Sequence, residues 1–153
     1  MPPVFVTVHI HTDGPIPGPH SLLTLSSAAH AADGGLISMF TANVRELPGA
    51  TLHPVSLQHW RTRAEDWLTT RRASRPPALA TDAFLRWIQK LPGEPTLVTD
   101  PVGSDHLFLY WYLHRFAGLW PFARTSTDAE LLRRLPRPLC SLSSCRTTLA
   151  QTS

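Results

Sequence analysis

Residues 4–10 read Val-Phe-Val-Thr-Val-His-Ile, a run that is rich in β-branched side chains. Such side chains fit the pleated surface of a sheet, so the run predicts a β-strand. The strand must end before residues 13–19, Asp-Gly-Pro-Ile-Pro-Gly-Pro, because that segment is too dense in glycine and proline for regular structure. An irregular loop therefore follows the first strand.

The segments after this loop predict a mixed sheet. Residues 22–29 and 36–41 read as two further strands, and the Asp-Gly-Gly turn at residues 33–35 joins them. Three strands with tight connections suggest an antiparallel meander. A short fourth strand at residues 96–99 follows a helical region, and such a crossover places a strand parallel to an earlier one.

Three helices are predicted from the spacing of apolar residues. The first has an apolar face made of Leu57, Trp60, Ala64, Trp67 and Leu68. The second is capped by Thr81 or Asp82 and carries a stripe of Phe84, Leu85, Trp87, Ile88 and Leu91. The third is capped by Ser104 or Asp105 and runs to about Phe116. Its sequence is apolar almost all round, which predicts heavy burial.

Length and composition predict a single domain with a polar tail. The chain has 153 residues, of which 42% are hydrophobic and 16% charged. We predict one domain at residues 1–135 and a disordered Ser/Thr-rich tail at residues 136–153. The tail holds Cys140 and Cys145, which are too few for a disulfide framework. No apolar run reaches the roughly 20 residues that span a bilayer, and no signal peptide is recognisable, so we expect a cytoplasmic protein.

The basic residues are almost all arginines. The formal net charge is +3, and Lys90 is the one lysine. Arginine binds phosphate in a bidentate manner, which suits a nucleic-acid partner, whereas coding bias in a GC-rich genome explains the same pattern without one. Arg71, Arg72 and Arg75, at a helix end, are expected to be solvated. Arg133, Arg134 and Arg137 are expected to solubilise the tail, with contact to nucleic acid as the alternative.

Several segments resemble the DEDD family of 3′–5′ exonucleases, which have a ribonuclease-H-like α/β fold. Residues 9–14, His-Ile-His-Thr-Asp-Gly, are similar to the family's first motif, Asp-x-Glu-Thr-x-Gly. Residues 15–21, 47–50 and 104–118 (SDHLFLYWYLHRFAG) resemble a bacterial subgroup in the same order. The resemblance covers about residues 3–130. It implies a mixed sheet flanked by helices and a single-stranded DNA or RNA partner.

The resemblance also implies a metal site that this sequence lacks in large part. The family holds two divalent ions with four carboxylates, and the ions stabilise the attacking and leaving oxygens. Here His9 and His11 stand at the first-motif aspartate and glutamate positions, and the third motif is not found. Only Asp105, at the second-motif position, is carried over as a catalytic residue, because Asp128 matches no metal ligand. We therefore predict a degenerate exonuclease-like domain without efficient two-metal hydrolysis.

His9 and His11 also permit a different chemistry. They are two residues apart on a strand, so their side chains project from the same face. With Asp105 they would offer two imidazoles and one carboxylate, a set that suits Zn²⁺, Fe²⁺ or Mn²⁺ better than Mg²⁺. The alternatives are that the histidines fill a degenerate pocket, hydrogen-bonded to Asp105, Asp13 or water, and that the chain is a truncated gene product without activity.

Overall fold

The computed structural model of the chain describes residues 2–50, 54–100 and 103–135. Within these ranges five strands form one sheet: β1 (Pro3–Thr12), β2 (Leu22–His30), β3 (Leu36–Asn43), β4 (Glu94–Val98) and β5 (Arg124–Ser126). The described helices are α1 (Pro54–Arg61), α2 (Ala64–Arg72), α3 (Pro77–Gln89), α4 (Ser104–Tyr112), a π-helix (Leu113–Ala117) and α5 (Ala129–Arg134). The predicted tail, with both cysteines, lies outside the described residues.

The sheet has the order β3-β2-β1-β4-β5, so β1 lies in its interior. Strands β1, β2 and β3 pair antiparallel, and β4 is parallel to both β1 and β5. The predicted mixed sheet, the meander and the crossover are thus confirmed. Strand β5 was not predicted, because its Arg-Thr-Ser sequence carries no apolar alternation and it forms through pairing with β4.

Strand β1 has two faces with different neighbours. Val4, Val6 and Ile10 are buried in the main hydrophobic core. Helices α3 and α4 complete that core with Phe84, Leu85, Ile88, Phe108, Leu109 and Tyr112. Because side chains alternate along a strand, Thr7, His9 and His11 lie on the opposite face. The core therefore fixes the position of β1 without using its histidines.

The first predicted helix is divided into α1 and α2. Arg63 separates them with φ −136° and ψ 49°, which lie outside the helical region. The ring of Trp60, which is buried, contacts the ring of Trp67 at a centroid distance of 5.3 Å. Leu57 and Leu68 are instead 39% and 50% exposed, so the prediction of a continuous apolar face was wrong. Tertiary contacts of the tryptophans override the local periodicity here.

Helix α3 begins earlier than predicted. Pro77 occupies its first turn, and Thr81 and Asp82 lie inside the helix rather than at its cap. The Thr81 hydroxyl donates to the Pro77 carbonyl at 2.9 Å, and Asp82 pairs with Arg86 at 3.0 Å. Proline is favoured at this place because the first turn needs no N–H donor. The predicted stripe is confirmed, with Phe84, Leu85, Ile88 and Leu91 buried and Trp87 half-buried.

Helix α4 begins at Ser104, capped by Gly103, and continues as the π-helix to Ala117. Ser104 and Asp105 therefore lie in its first turn, so the prediction that one of them caps the helix was wrong, whereas the predicted helix start near Asp105 is confirmed. The predicted burial all round was wrong, because Leu107 and Tyr110 are 49% and 48% exposed. The helix packs on the sheet with one face only. None of the described helices has the length and hydrophobicity that crossing a bilayer would require.

Candidate functional site

The carboxyl ends of β1 and β4 meet at one edge of the sheet. The two strands pair in parallel from Pro3 opposite Glu94 to Thr7 opposite Val98. Beyond this register β1 continues through His9 and His11, while the chain leaves β4 through Thr99 and Asp100. Ligands of open α/β sheets bind outside the carboxyl ends of parallel strands. This edge of the sheet is therefore the expected position of a ligand-binding site.

The two histidines lie side by side on one face of β1, as predicted. Their ring centroids are 5.1 Å apart and the ring planes are nearly perpendicular, at 84°. The ring of His11 also contacts that of Trp60 in α1, with a centroid distance of 6.1 Å. Both histidines are half-buried. They are thus held by ring contacts while part of each side chain stays accessible.

The neighbouring strand gives this face a polar floor. In the antiparallel register His9 is opposite Ser26 and His11 is opposite Thr24. Ser26 and Thr24 are each only 2% exposed. The Thr24 hydroxyl has no hydrogen-bond partner among the described residues. A buried hydroxyl without a partner is costly, so this position favours an additional polar group or water beside His11.

A cleft of about 470 Å³ opens between these strand ends and helices α4 and α5. We call it the carboxyl-end cleft; it is lined by Thr7, Val8, His9, Val98, Thr99, Asp100, Gly103, Ser104, Asp105, Leu132, Arg133 and Leu135. His9 and Asp105, two of the predicted site residues, thus share one cavity. His11 is not among the lining residues and lies beside it, against His9 and Trp60.

Two charged residues of the lining, Asp100 and Arg133, were not predicted as site residues. Asp100 comes two residues after β4, and its position after a parallel strand was the signal that could have identified it. Arg133 belongs to α5 and was expected only to solubilise the tail, but it lines the cleft. No local pattern could have shown this, because α5 reaches the cleft through the tertiary fold.

The Arg71 prediction was also wrong. Its side chain is only 13% exposed and not simply solvated at a helix end. The guanidinium donates to the carbonyls of Val44 and Leu23, at 2.7 and 3.0 Å, and pairs with Glu46. It thereby attaches α2 to the start of β2 and to the residue that follows β3. Arg71 does not line the cleft, and its contacts are structural.

Asp13, a predicted partner for the histidines, closes the loop between β1 and β2. Its carboxylate accepts a hydrogen bond from the Ser21 backbone, and its own N–H donates to the Ser21 carbonyl at 3.0 Å. Burial raises the pKa of Asp13 above its ordinary value of 3.8, although the Ser21 bond opposes this shift. Nearby, Tyr112 accepts from the Leu22 N–H at 2.8 Å, and burial raises the pKa of Tyr112 to about 12. These groups are structural supports of the loop.

The donor set does not fit a pair of magnesium ions. Mg²⁺ prefers a cage of oxygen ligands, but His9 and His11 stand where the family resemblance requires two carboxylates. The part of the chain that the structure describes contains no group of three or more His, Cys, Asp or Glu side chains arranged to hold a metal ion. The triad of His9, His11 and Asp105 stays a prediction.

Comparisons with known proteins identify the fold. No protein-family profile matches the sequence, and no curated protein matches it. Solved structures do match, with TM-scores well above chance. The fold is similar to that of exonuclease I. The predicted ribonuclease-H-like α/β class is confirmed.

Three of the matching structures illustrate the extent of the similarity. Product-bound exonuclease I has a TM-score of 0.66 and 10% identity, over 87% of this chain and 31% of that one. E. coli exonuclease I with a dA13 oligonucleotide has a TM-score of 0.64 and 11% identity, over 85% of this chain and 29% of that one. A zinc-bound E. coli exonuclease I–single-stranded DNA complex has a TM-score of 0.63 and 11% identity, over 87% of this chain and 29% of that one. The chain thus spans less than a third of these proteins.

Proposed function

We propose that this chain is an exonuclease-like, nucleic-acid-binding domain that does not perform efficient two-metal phosphodiester hydrolysis. The observation that carries the proposal is the carboxyl-end cleft, in a fold similar to that of exonuclease I. E. coli exonuclease I has been solved with a dA13 oligonucleotide and with single-stranded DNA. A single-stranded DNA or RNA segment is accordingly the partner we propose for the cleft.

The charge at the cleft supports this partner. Arg133 lines it, and the chain as a whole carries a formal net charge of +3. A guanidinium can bind two phosphate oxygens at once. Asp100 and Asp105 at the same cleft would repel phosphates. This repulsion would restrict the sugar-phosphate backbone of the nucleic acid to a path on the Arg133 side. Phosphate contacts are screened by salt, so binding should weaken as ionic strength rises.

The side chains at the strand end argue against efficient hydrolysis. Of the family's four metal-binding carboxylates, only Asp105 has a counterpart here. The imidazoles of His9 and His11 bring no negative charge and are softer donors than carboxylates. Two-metal catalysis depends on that charge to hold the ions which stabilise the attacking and leaving oxygens. We therefore expect binding without rapid cleavage.

The binding half of the proposal is tested with a fluorescein-labelled oligothymidylate by fluorescence anisotropy over a series of salt concentrations. Arg133→Ala should weaken binding and reduce the slope of log K against log salt by about 1. Arg134→Ala is the matched control, since Arg134 is the next residue of α5, is 73% exposed and pairs with Glu130. Equal effects of both substitutions, or no binding by the wild type, would refute the proposal.

The catalytic half is tested with a 3′-labelled oligonucleotide in the presence of Mg²⁺. We expect mononucleotide release to be absent or very slow. Acids placed at His9 and His11 should not rescue much activity, because residues 1–153 contain no counterpart of the third motif. Rapid release that Asp105→Ala abolishes would show that the hydrolytic machinery is intact and would contradict this half.

A single-metal enzyme is the second candidate, and the contact between the His9 and His11 rings favours it. If Asp105 joined them, the donor atoms would have to converge to about 2.0–2.2 Å from one ion, such as Zn²⁺, Fe²⁺ or Mn²⁺. Isothermal titration of Zn²⁺ and Mn²⁺ into the wild type, His9→Ala and His11→Ala separates the candidates. One bound ion lost in both variants would establish the metal site, whereas equal weak binding in all three eliminates it.

A further inference from the structure

Four aromatic rings form a cluster on the outer side of α4. His106, Tyr110 and His114 follow at four-residue spacing, and Trp120 closes the cluster from the segment after the π-helix. Tyr110 lies 4.3 Å from His114 and 5.3 Å from Trp120 between ring centroids. The rings of His114 and Trp120 are nearly parallel, with an interplanar angle of 6° and a centroid distance of 6.2 Å. Trp120 also packs against the main core, with its ring 5.1 Å from that of the buried Phe122.

The local backbone places Trp120 in the cluster. The π-helix ends at Gly118, whose φ of 69° is in the left-handed region that favours glycine. The Gly118 N–H donates to the Leu113 carbonyl at 2.8 Å and closes the turn. The chain then passes back along α4, so that the Trp120 ring meets the edge of His106 at 5.6 Å. π-Helical turns are often found at functional sites.

Two rings of the cluster, His106 and Tyr110, form one wall of an open groove. We call it the aromatic groove; its volume is about 500 Å³ and it is lined by Thr99, Gly103, His106, Leu107, Tyr110, Thr125 and Thr127. Tyr110 and Leu107 leave about half of their surface exposed, at 48% and 49%. Thr99 and Gly103 also line the carboxyl-end cleft, so the two cavities adjoin.

We propose that the aromatic groove binds a nucleobase of a single-stranded nucleic acid whose sugar-phosphate backbone lies in the carboxyl-end cleft. This inference rests on the proposed function and assigns the base-binding part of the site. The Tyr110 ring is already stacked on His106, with centroids 5.9 Å apart, and is held by His114 and Trp120. A base would pack against the part of the Tyr110 ring that stays exposed. Aromatic side chains bind bases of any sequence in this way, because every base has a π-face.

The chemistry of the lining favours a base over an apolar peptide or a second copy of the chain. Threonine hydroxyls at positions 99, 125 and 127, together with the His106 imidazole, can exchange hydrogen bonds with the edge of a base. An apolar partner would leave these groups without partners, at a cost in free energy. The adjoining cleft, which Arg133 lines, offers a place for the attached phosphate.

The test compares a 13-residue oligothymidylate with an abasic strand of the same length. Tyr110→Ala should weaken oligothymidylate binding about 5- to 100-fold, the range expected for loss of one stacked base. Tyr110→Phe keeps the ring and should bind within about twofold of the wild type. The abasic strand should bind more weakly than oligothymidylate and should not respond to either substitution. Leu79→Ala is the control, since Leu79 is 59% exposed on α3.

The possible results separate this inference from the proposed function. If both strands bind equally well, or if Tyr110→Ala has no effect on either, nucleic-acid binding stands and the aromatic groove is not its base site. If neither strand binds the wild type, both proposals fail. Loss of binding to both strands in a Tyr110→Ala protein with a normal circular dichroism spectrum would also overturn the stacking role. Sedimentation that reveals a wild-type dimer, dissociated by Tyr110→Ala, would identify the groove as a protein interface instead.

Discussion

Replacement of Arg71 by alanine should destabilise the protein far more than its position near a helix end suggests. The guanidinium bridges α2 to two buried residues, through the carbonyls of Val44 and Leu23 at 2.7 and 3.0 Å. It also pairs with Glu46 and lies 5.3 Å from the centre of the Trp67 ring. The side chain is 13% exposed, so solvent screens these contacts only in part.

The magnitude follows from the contacts that are lost. Each hydrogen bond from a charged donor contributes about 1.5–3 kcal/mol, and a cation–π contact about 0.5–2 kcal/mol. Water can solvate part of the freed carbonyls and the half-exposed Glu46, so the terms do not simply add. We expect Arg71→Ala to lower the free energy of unfolding by about 2–4 kcal/mol, measured by urea denaturation with tryptophan fluorescence. Arg71→Lys should recover less than half of this lost stability, because a single ammonium cannot donate to both carbonyls in the forked geometry of a guanidinium.

Arg72→Ala is the matched control for this experiment. Arg72 is the next residue of α2 and is exposed, so its replacement changes helix propensity equally but removes no comparable contact. Its effect should stay below about 0.5 kcal/mol. If the two alanine variants unfold at the same urea concentration, the bridging role of Arg71 is wrong.

Three further substitutions test other parts of the structure. Gly14→Ala should destabilise the protein by about 1–3 kcal/mol in thermal denaturation, since a Cβ there would lie 2.2 Å from the His20 ring. Gly103→Ala is the control, because its Cβ would meet nothing closer than 3.6 Å. Tyr112→Phe should cost about 1–3 kcal/mol in urea denaturation by leaving a buried N–H of β2 without its acceptor. Burial holds the pKa of His30 below 6.5, so the unfolded chain takes up a proton first as the pH falls. Above about pH 6.5, His30 should not affect the free energy of unfolding. Below that pH it should lower this free energy by up to about 1.4 kcal/mol per pH unit. His30→Leu should remove this pH dependence.

Local patterns were sufficient to predict most of the sheet. The β-branched run at residues 4–10 and the Asp-Gly-Gly turn at residues 33–35 predicted β1, β2 and β3, with ends within two residues of those observed. The apolar stripe of α3 was equally informative. These features depend on side-chain period and turn chemistry, which a single segment contains. Strand β5 and the break between α1 and α2 depend on contacts with distant segments, and the sequence patterns did not predict them.

The candidate site was predictable to a similar degree. Two histidines separated by one residue on a strand must share a face, and their ring contact confirms this part of the prediction. Asp105 was placed correctly at the start of α4, because the apolar residues that follow it predict where this helix begins. Asp100 follows a strand that was predicted to be parallel to an earlier strand, so its place could have been expected from the sequence. Arg133 reaches the cleft from α5, and only the assembled fold brings it there. Sequence spacing predicts neighbours within an element but not between elements.

The two faces of β1 separate the packing of the fold from the chemistry of the strand end. Val4, Val6 and Ile10 point into the core, where a change of volume costs several kcal/mol. His9 and His11 point the other way and are half-buried beside a cleft, so other polar residues can replace carboxylates there without disturbing the packing. One face of β1 therefore fixes the fold, and the other can vary with little effect on packing. Similarity in fold to exonuclease I does not by itself carry an activity, because the chemistry of a site depends on the residues at the strand end.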